Sequence, residues 1–379
     1  MTLRLTSFTD TAPVVTGQTS LVRMHGMVAP SLSNRLVRPD PGDFSRSLAG
    51  SRPVERLITE ERLMAPLRIL CEHPREADRP GYSELASWMG AELEAAGGHP
   101  LGDRVGAERS FLQQFQYKEV YGPGETVTSA NVIGYLPGTG PGPRRKIFLM
   151  AHPDGLSAVQ KEIDRGKGRD LSSYQGANDN AAAVAAVIQV FSALKSTGPH
   201  LWDVVAFLPS AEEEGKKGSE AFGLRPNMTI PPGSRALNLE MIASPGRDLV
   251  LYTGPSAEGV LANPLTPLLG RLAHDEGIPV KDGLGYEPEK KWWRRSDHEV
   301  FHNMGLHAAM IFGGSSGAYH TEHDDLASLN LPKLVHAARL AYLATHALAN
   351  DRSLAQPLRA AEARLNSHAG AVWPGLVEP

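Results

Sequence analysis

The stretch Lys146-Ile-Phe-Leu-Met-Ala-His152-Pro-Asp154 sets an apolar run, Ile147 to Ala151, directly before a histidine and an aspartate. A short apolar run bounded by a turn residue predicts a strand buried on both faces, and the carboxyl end of such a strand is where an open α/β sheet binds ligands. The pattern recurs further along the chain. Trp202-Asp-Val-Val-Ala-Phe-Leu-Pro209 runs into Ser210-Ala-Glu212-Glu213-Glu214-Gly215, and Arg235-Ala-Leu-Asn-Leu ends at Glu240. Ala308-Ala-Met-Ile-Phe is followed across a Gly/Ser loop by Tyr319-His320-Thr321.

Around these runs the periodicity predicts strands at Asn131–Leu136, Lys146–His152, Trp202–Pro209, Arg235–Ala243, Leu249–Thr253 and His307–Gly313. Helical spacing predicts Asn180–Lys195, Pro264–Glu276, His298–Met304 and Leu331–Ala349 between or after them. Upstream, Val54–Cys71 reads as a helix that Pro66 breaks or restarts, and Tyr82–Ala96 as one stopped by Gly97-Gly98. Strands alternating with helices give a three-layer α/β/α sandwich around a mixed, mostly parallel sheet. Gly138 to Pro143 reads as a hairpin or loop. The organisation expected is an irregular N-terminal arm over residues 1–52, a single domain over 53–351 and a tail over 352–379.

Composition narrows the chemistry. With 38 Lys and Arg against 42 Asp and Glu, the formal charge of −4 offers no basic field for nucleic acid. Residues 1–20 lack a cationic, apolar secretory leader, and no run approaches the roughly 18 apolar residues that span a bilayer. A soluble, cytoplasmic protein with no membrane partner is expected, and the N-terminal arm can wrap the body or link subunits into an oligomer. The chain has one cysteine, Cys71, so no thiolate zinc site can form, and any metal must rest on His, Asp and Glu.

Such residues collect at one sheet edge: His152, Asp179 in Gly176-Ala-Asn-Asp-Asn180, Glu212 and Glu213, Glu240, and His320. Singly, each has an ordinary use. His-x-Asp can be a plain loop, Asp179 a helix cap, three glutamates a solvated charge run, and His320 a surface histidine beside His323. Several separate ends bringing nitrogen and oxygen donors to one edge instead suits a pair of zinc ions, held about 3.5–4 Å apart by a bridging carboxylate.

Taken in order, His152-x-Asp154, Gly176-Ala-x-Asp179-Asn180, Ala211-Glu212-Glu213-x-Gly215-x-x-Gly218-Ser219, Asn238-Leu-Glu240-Met-Ile242, Ser296-Asp297-His298 with Phe301, and Tyr319-His320-Thr321 with Asp324 resemble the di-zinc aminopeptidase family that includes the glutaminyl cyclases. The likeness extends over about Val54 to Asn350. It implies two Zn2+ per chain, one on His152, Asp179 and Glu240 and the other on Asp179, Glu213 and His320, with Asp179 as the bridge. It further implies Glu212 as general base, moving a proton from the attacking water to the leaving amine. Asp154 would take a hydrogen bond from the second ring nitrogen of His152, and Tyr319 would donate to the tetrahedral oxyanion. Cobalt or manganese can replace zinc on such donors.

The chain also departs from that family. Glu240 stands where aspartate is usual, and the interval 155–175, with Lys161, Arg165, Lys167 and Arg169, is long, reading as a solvated basic loop or else a lid. Trp292-Trp293-Arg294-Arg295 before Asp297-His298 reads either as a substrate wall, where Arg pairs carboxylates and Trp offers a flat apolar face, or as a surface turn with one buried Trp. The resemblance favours a metal-dependent hydrolase acting on a peptide or small amide, an aminopeptidase above all. Alternatives are a one-zinc glutaminyl cyclase-type acyltransferase, an aminoacylase or carboxypeptidase, and an inert binding module.

Overall fold

Lys146–Met150 is a middle strand of an eight-stranded mixed sheet in the computed structural model, which describes residues 54–168, 170–246, 248–253, 263–281 and 294–352. In chain order the first elements are α1 (Val54–Leu57), α2 (Glu60–Glu72), α3 (Gly81–Ala95), β1 (His99–Pro100), β2 (Arg104–Val105), β3 (Glu108–Arg109), β4 (Leu112–Lys118), β5 (Thr126–Leu136) and β6 (Lys146–Met150). There follow α4 (Ala158–Gly166), a π-turn at Ala177–Ala181, α5 (Ala182–Thr197), β7 (Asp203–Leu208), α6 (Lys217–Leu224), β8 (Arg235–Glu240) and β9 (Val250–Tyr252). Last come α7 (Leu265–Asp275), α8 (His298–Asn303), β10 (His307–Phe312) and α9 (Leu331–Ala349).

The strands β7, β6, β8 and β10 lie side by side in that order and run parallel. Antiparallel strands finish the sheet: β9 beyond β10, and β5 beyond β7 with β1 and β4 on its outer side. From β6 the chain goes to β7 on one side and then to β8 on the other. That reversal opens a crevice at the carboxyl ends, the usual ligand position in such sheets.

Alternation along β6 divides the core into two layers. Ile147 and Leu149 face the larger cluster, formed with α2, α3, α5, α7 and α9. Phe148 and Met150 face the other side, where Phe222 of α6 and Phe301 of α8 cover the sheet. Phe148 and Phe301 meet edge to face with ring centroids 4.8 Å apart. Truncating either to alanine removes about 3–5 kcal/mol. The three-layer sandwich expected from the sequence is therefore present, and all six expected strands form, some with their ends trimmed.

At four places the local structure departs from the sequence reading or completes it. Pro66 does not break the helix. It lies within α2, where the carbonyl it leaves unbonded is that of exposed Arg62 and can be met by water. The break falls at Thr59, whose hydroxyl caps α2 by accepting the Arg62 N–H at 3.4 Å. The interval 155–175 is more than a solvated loop, since it contains α4, capped by Ser157, and Lys161 pairs with Glu76 at 2.6 Å. Gly138–Pro143 is a loop, because β7 stands between β5 and β6. The strand β4 escaped the sequence reading because a polar residue, Gln113, shares its inward face with Phe115 and Tyr117, and Gln114 and Gln116 fill the outward one. The proposed arm and nearly all of the proposed tail lie outside the described residues.

Candidate metal centre

Register builds half of the site. Met150, Phe207, Asn238 and Met310 stand level across β6, β7, β8 and β10. Two residues further on, His152 and Glu240 share one side of neighbouring strand ends. His152 Nε2 lies 3.5 Å from Glu240 Oε1, and both residues are buried. Asp179 approaches from the turn before α5, with Oδ1 3.3 Å from the same His152 nitrogen. Its Oδ2 lies 3.2 Å from His320 Nε2, which is also 3.2 Å from Glu213 Oε2.

Two triads result, His152–Asp179–Glu240 and Asp179–Glu213–His320, each with its donor atoms within 4.8 Å of one another. They share Asp179, which turns one oxygen to each histidine. The buried Glu213 Oε1 and His320 Nε2 have no hydrogen-bond partner among the described residues. Imidazole and carboxylate donor atoms buried without a hydrogen-bond partner fit a divalent cation of the zinc type.

The loops reach these positions through unusual backbone. Ala211, Lys216, Met241 and His320, with φ of 57°, 64°, 45° and 56°, are the described non-glycine residues with positive φ. Each lies in or beside a segment that carries a candidate ligand or Glu212. A left-handed residue costs about 1–2 kcal/mol, tolerated where surrounding contacts over-determine the turn. In the turn after β7 the Glu212 carbonyl accepts the N–H groups of Gly215 and Lys216 at 2.7 and 2.9 Å.

A further layer of side chains, largely invisible to the sequence reading, ties these loops together. Buried Arg75 donates to the main-chain carbonyls of Pro153 (3.1 Å), Gln175 (2.7 Å), Gly176 (2.6 Å) and Asp179 (3.2 Å). Gly176, at φ 57°, must be glycine, since a Cβ there would collide with the Arg75 guanidinium and the Asp179 carbonyl. Asp324 accepts the N–H groups of Asn178 (2.7 Å) and Asp179 (3.1 Å). Asn238 donates to Ser296 Oγ at 2.7 Å, and that hydroxyl donates to Glu240 Oε2 at 2.6 Å. The longer Glu240 side chain is thereby held in place. Arg75 had no sequence signal beyond being a charged residue in a loop.

Asp154 is arranged differently from the expectation. Its Oδ1 stands 3.6 Å from His152 Nδ1, whose hydrogen-bond contact is instead the Asp154 main-chain carbonyl at 3.2 Å. The reason is that Asp154 Oδ2 is turned to the Glu213 N–H, 3.1 Å away. One carboxylate thus links the two histidine and glutamate loops.

Electrostatics follow from the crowding of buried acids and histidines. Burial would depress His152 and His320, but facing carboxylates prevail: Glu240 leads in holding His152 well above the ordinary value, and Glu213 leads in lifting His320 to about 10. Glu212 belongs to neither triad. Burial, reinforced by Asp297, Glu240 and Glu213, holds its carboxyl well above the usual range against the pull of His152. Asp297, buried and bonded to Ser219 Oγ, is pushed to about 7, by burial first and then by Asp154 and Glu240.

The remaining candidates are dispersed. Tyr319 is 42% exposed and stacks on His320 with ring centroids 3.8 Å apart. His298 is buried at the first position of α8 and belongs to neither triad. Arg294 and Arg295 are exposed, and Arg294 approaches Glu299 at 3.7 Å. Trp292 and Trp293 lie outside the described residues.

The chain is similar to several known proteins. It is 26% identical over 190 residues to a vacuolar membrane protease of Metarhizium robertsii, an alignment covering 48% of this chain and 17% of that protein. The chain therefore spans about a sixth of that relative's length, and the relative's name lends no support to the expected cytoplasmic location. Among the described residues no helix is long and apolar enough to cross a membrane. The aminopeptidase LapA of Legionella pneumophila superposes with a TM-score of 0.58 at 16% identity, covering 83% of this chain and 76% of that one. An aminopeptidase from Aneurinibacillus sp. strain AM-1 gives 0.58 at 15%, covering 81% and 98%. A Bacteroides thetaiotaomicron glutaminyl cyclase bound to N-acetylhistamine gives 0.58 at 15%, covering 76% and 98%. These likenesses establish the fold. A model of the peptidase family M28 matches residues 131–345, the span that carries both triads, and the chain belongs to peptidase family M28.

Proposed function

We propose that the protein is a zinc-dependent hydrolase that cleaves an amide bond, releasing the N-terminal residue of a peptide or a small amino-acid conjugate. The observation that carries this reading is the sharing of Asp179 between two triads while Glu212, beside them, ligates in neither. His152, Asp179 and Glu240 would hold one ion, and Asp179, Glu213 and His320 the other. Bound zinc supplies Lewis acidity that makes water a nucleophile near neutral pH and polarises the carbonyl.

The chain's own groups account for the proton movements. Glu212 accepts a proton as the water oxygen bonds to the carbonyl carbon, and delivers it to the amide nitrogen as the C–N bond breaks. Asp154 orients the Glu213 loop through its main-chain N–H, and Tyr319, beside His320 at the mouth, would donate to the developing oxyanion.

A glutaminyl cyclase-type reaction is the second reading, supported by superposition with cyclases as close as that with aminopeptidases. A hydrolysis screen over aminoacyl, N-acyl and dipeptide amides, run metal-replete and after chelation beside a pyroglutamate assay, separates the two. Full activity in the exhaustively chelated protein would remove both.

A further inference from the structure

The interval 155–175 supplies no residue to either triad, yet it is fastened along the segment that carries Arg75. The Gly155 N–H donates to the Arg75 main-chain carbonyl at 3.0 Å. The Ala158 N–H, at the start of α4, donates to the Asp78 carboxylate at 3.2 Å. One turn further on, Lys161 pairs with Glu76 at 2.6 Å, and its ammonium stands 5.5 Å from the centroid of the Tyr174 ring. The long interval is therefore docked on residues 75–78 through both main chain and side chains.

Its far end reaches the shared ligand. Tyr174 is buried in a cluster with Leu156 and Leu171, and its hydroxyl donates to the Asp179 main-chain carbonyl at 3.3 Å. The Arg75 guanidinium donates to that same oxygen at 3.2 Å. A carbonyl has two lone pairs, so two donors from different segments satisfy this one. The neighbouring Gln175 is fixed as well, its carbonyl by Arg75 at 2.7 Å and its Oε1 by the Leu326 N–H at 3.2 Å. With Asp324 accepting the Asp179 N–H, the main chain of Asp179 is held on both sides, and its carboxylate is left to face His152 and His320.

We propose that Tyr174 is a positioning residue for the metal centre, and that the interval 155–175 is a brace which, through this hydroxyl, sets the affinity for both ions at once. This rests on the metal-dependent reading above. A lid would act on substrate entry, whereas the brace acts on the one ligand that the two triads share.

The test is zinc affinity of the full-length protein, measured by competition with a chromophoric chelator, in Tyr174→Phe and Lys161→Met with Lys167→Met as a control on the same interval. Tyr174→Phe keeps the ring in its cluster and removes only the hydroxyl. Both dissociation constants should rise together by about tenfold, the lower end of the range for groups that orient metal ligands, with the melting temperature of the chelated protein unchanged. Lys161→Met, which frees Glu76 but keeps the apolar stem, should move both constants in the same direction, and Lys167→Met should move neither. Loss confined to one ion would overturn the brace, as would an affinity that falls only in step with the stability of the metal-free protein. Retained affinity for both ions would also overturn it, assigning a lid if KM for leucyl p-nitroanilide rises and a solvated loop if it does not. Each of these results leaves the metal-dependent reading intact, whereas wild-type protein that binds no zinc would overturn both.

Discussion

Arg75 and Asp179, 104 residues apart in the chain, are joined by a 3.2 Å hydrogen bond from a guanidinium nitrogen to the aspartate's main-chain carbonyl. The same guanidinium also holds Pro153, next to His152, so a single planar group sets the spacing between the loop from β6 and the turn before α5. Lysine carries the charge but not the fork. Arg75→Lys is expected to weaken metal binding about 10–100-fold while the protein remains folded. Competition with a chromophoric chelator measures this, and unchanged affinity would show that the loops hold their spacing without the guanidinium.

Glu212 and Glu213 are neighbours with different surroundings, and the two substitutions should separate. Glu212→Gln is expected to lower kcat about 10²–10⁴-fold with metal content and KM preserved. Glu213→Gln should instead release one ion, because it removes a donor from the His320 triad. Metal analysis and kinetics on the same preparations decide the assignment, and a metal loss in Glu212→Gln would reverse it.

Sharing of Asp179 makes a stoichiometric prediction. Asp179→Ala should empty both sites, whereas Glu240→Ala should spare the Glu213–His320 side, so elemental analysis would read near zero ions against one. Chelation should also lower the melting temperature of the wild type. An ion at 100 times its dissociation constant stabilises a fold by about 2.7 kcal/mol, and a melting point indifferent to metal would count against the site.

Far from the triads, His346 on α9 meets His200 edge to face, with centroids 5.5 Å apart. Burial and the His200 charge depress His346 from 6.5 to about 4. The unfolded chain therefore takes up this proton first as the pH falls. The stability from keeping His346 neutral is fully present above 6.5 and is lost as the pH drops towards 4, amounting to about 3 kcal/mol at most. In urea denaturation at pH 7 and pH 4.5, His346→Phe should lose less stability between the two than the wild type. Equal losses would show that the acid limb is carried by other groups.

The fold was legible because its central strands are apolar on both faces, and the runs from Ile147 and Val204 announce themselves without help from partners. The strand β4 was hidden because half-buried strands alternate, and here the outward positions are glutamines. Candidate donors were legible for a related reason, since His152 and Glu240 stand at strand ends where polar residues have no core to join. Arg75 was hidden because its role depends on carbonyl groups that any residue possesses.

By itself the sequence determined the strand and helix runs, the restriction of any metal to imidazole and carboxylate donors in a chain with one cysteine, and the edge of the sheet at which they collect. Only the tertiary structure decided that β6 lies between β7 and β8, that Asp179 turns one oxygen to each histidine, and that Arg75, Asp324 and Ser296 hold the loops. Those are relations between distant segments. They follow from strand order and register, which long-range packing sets and local composition does not encode.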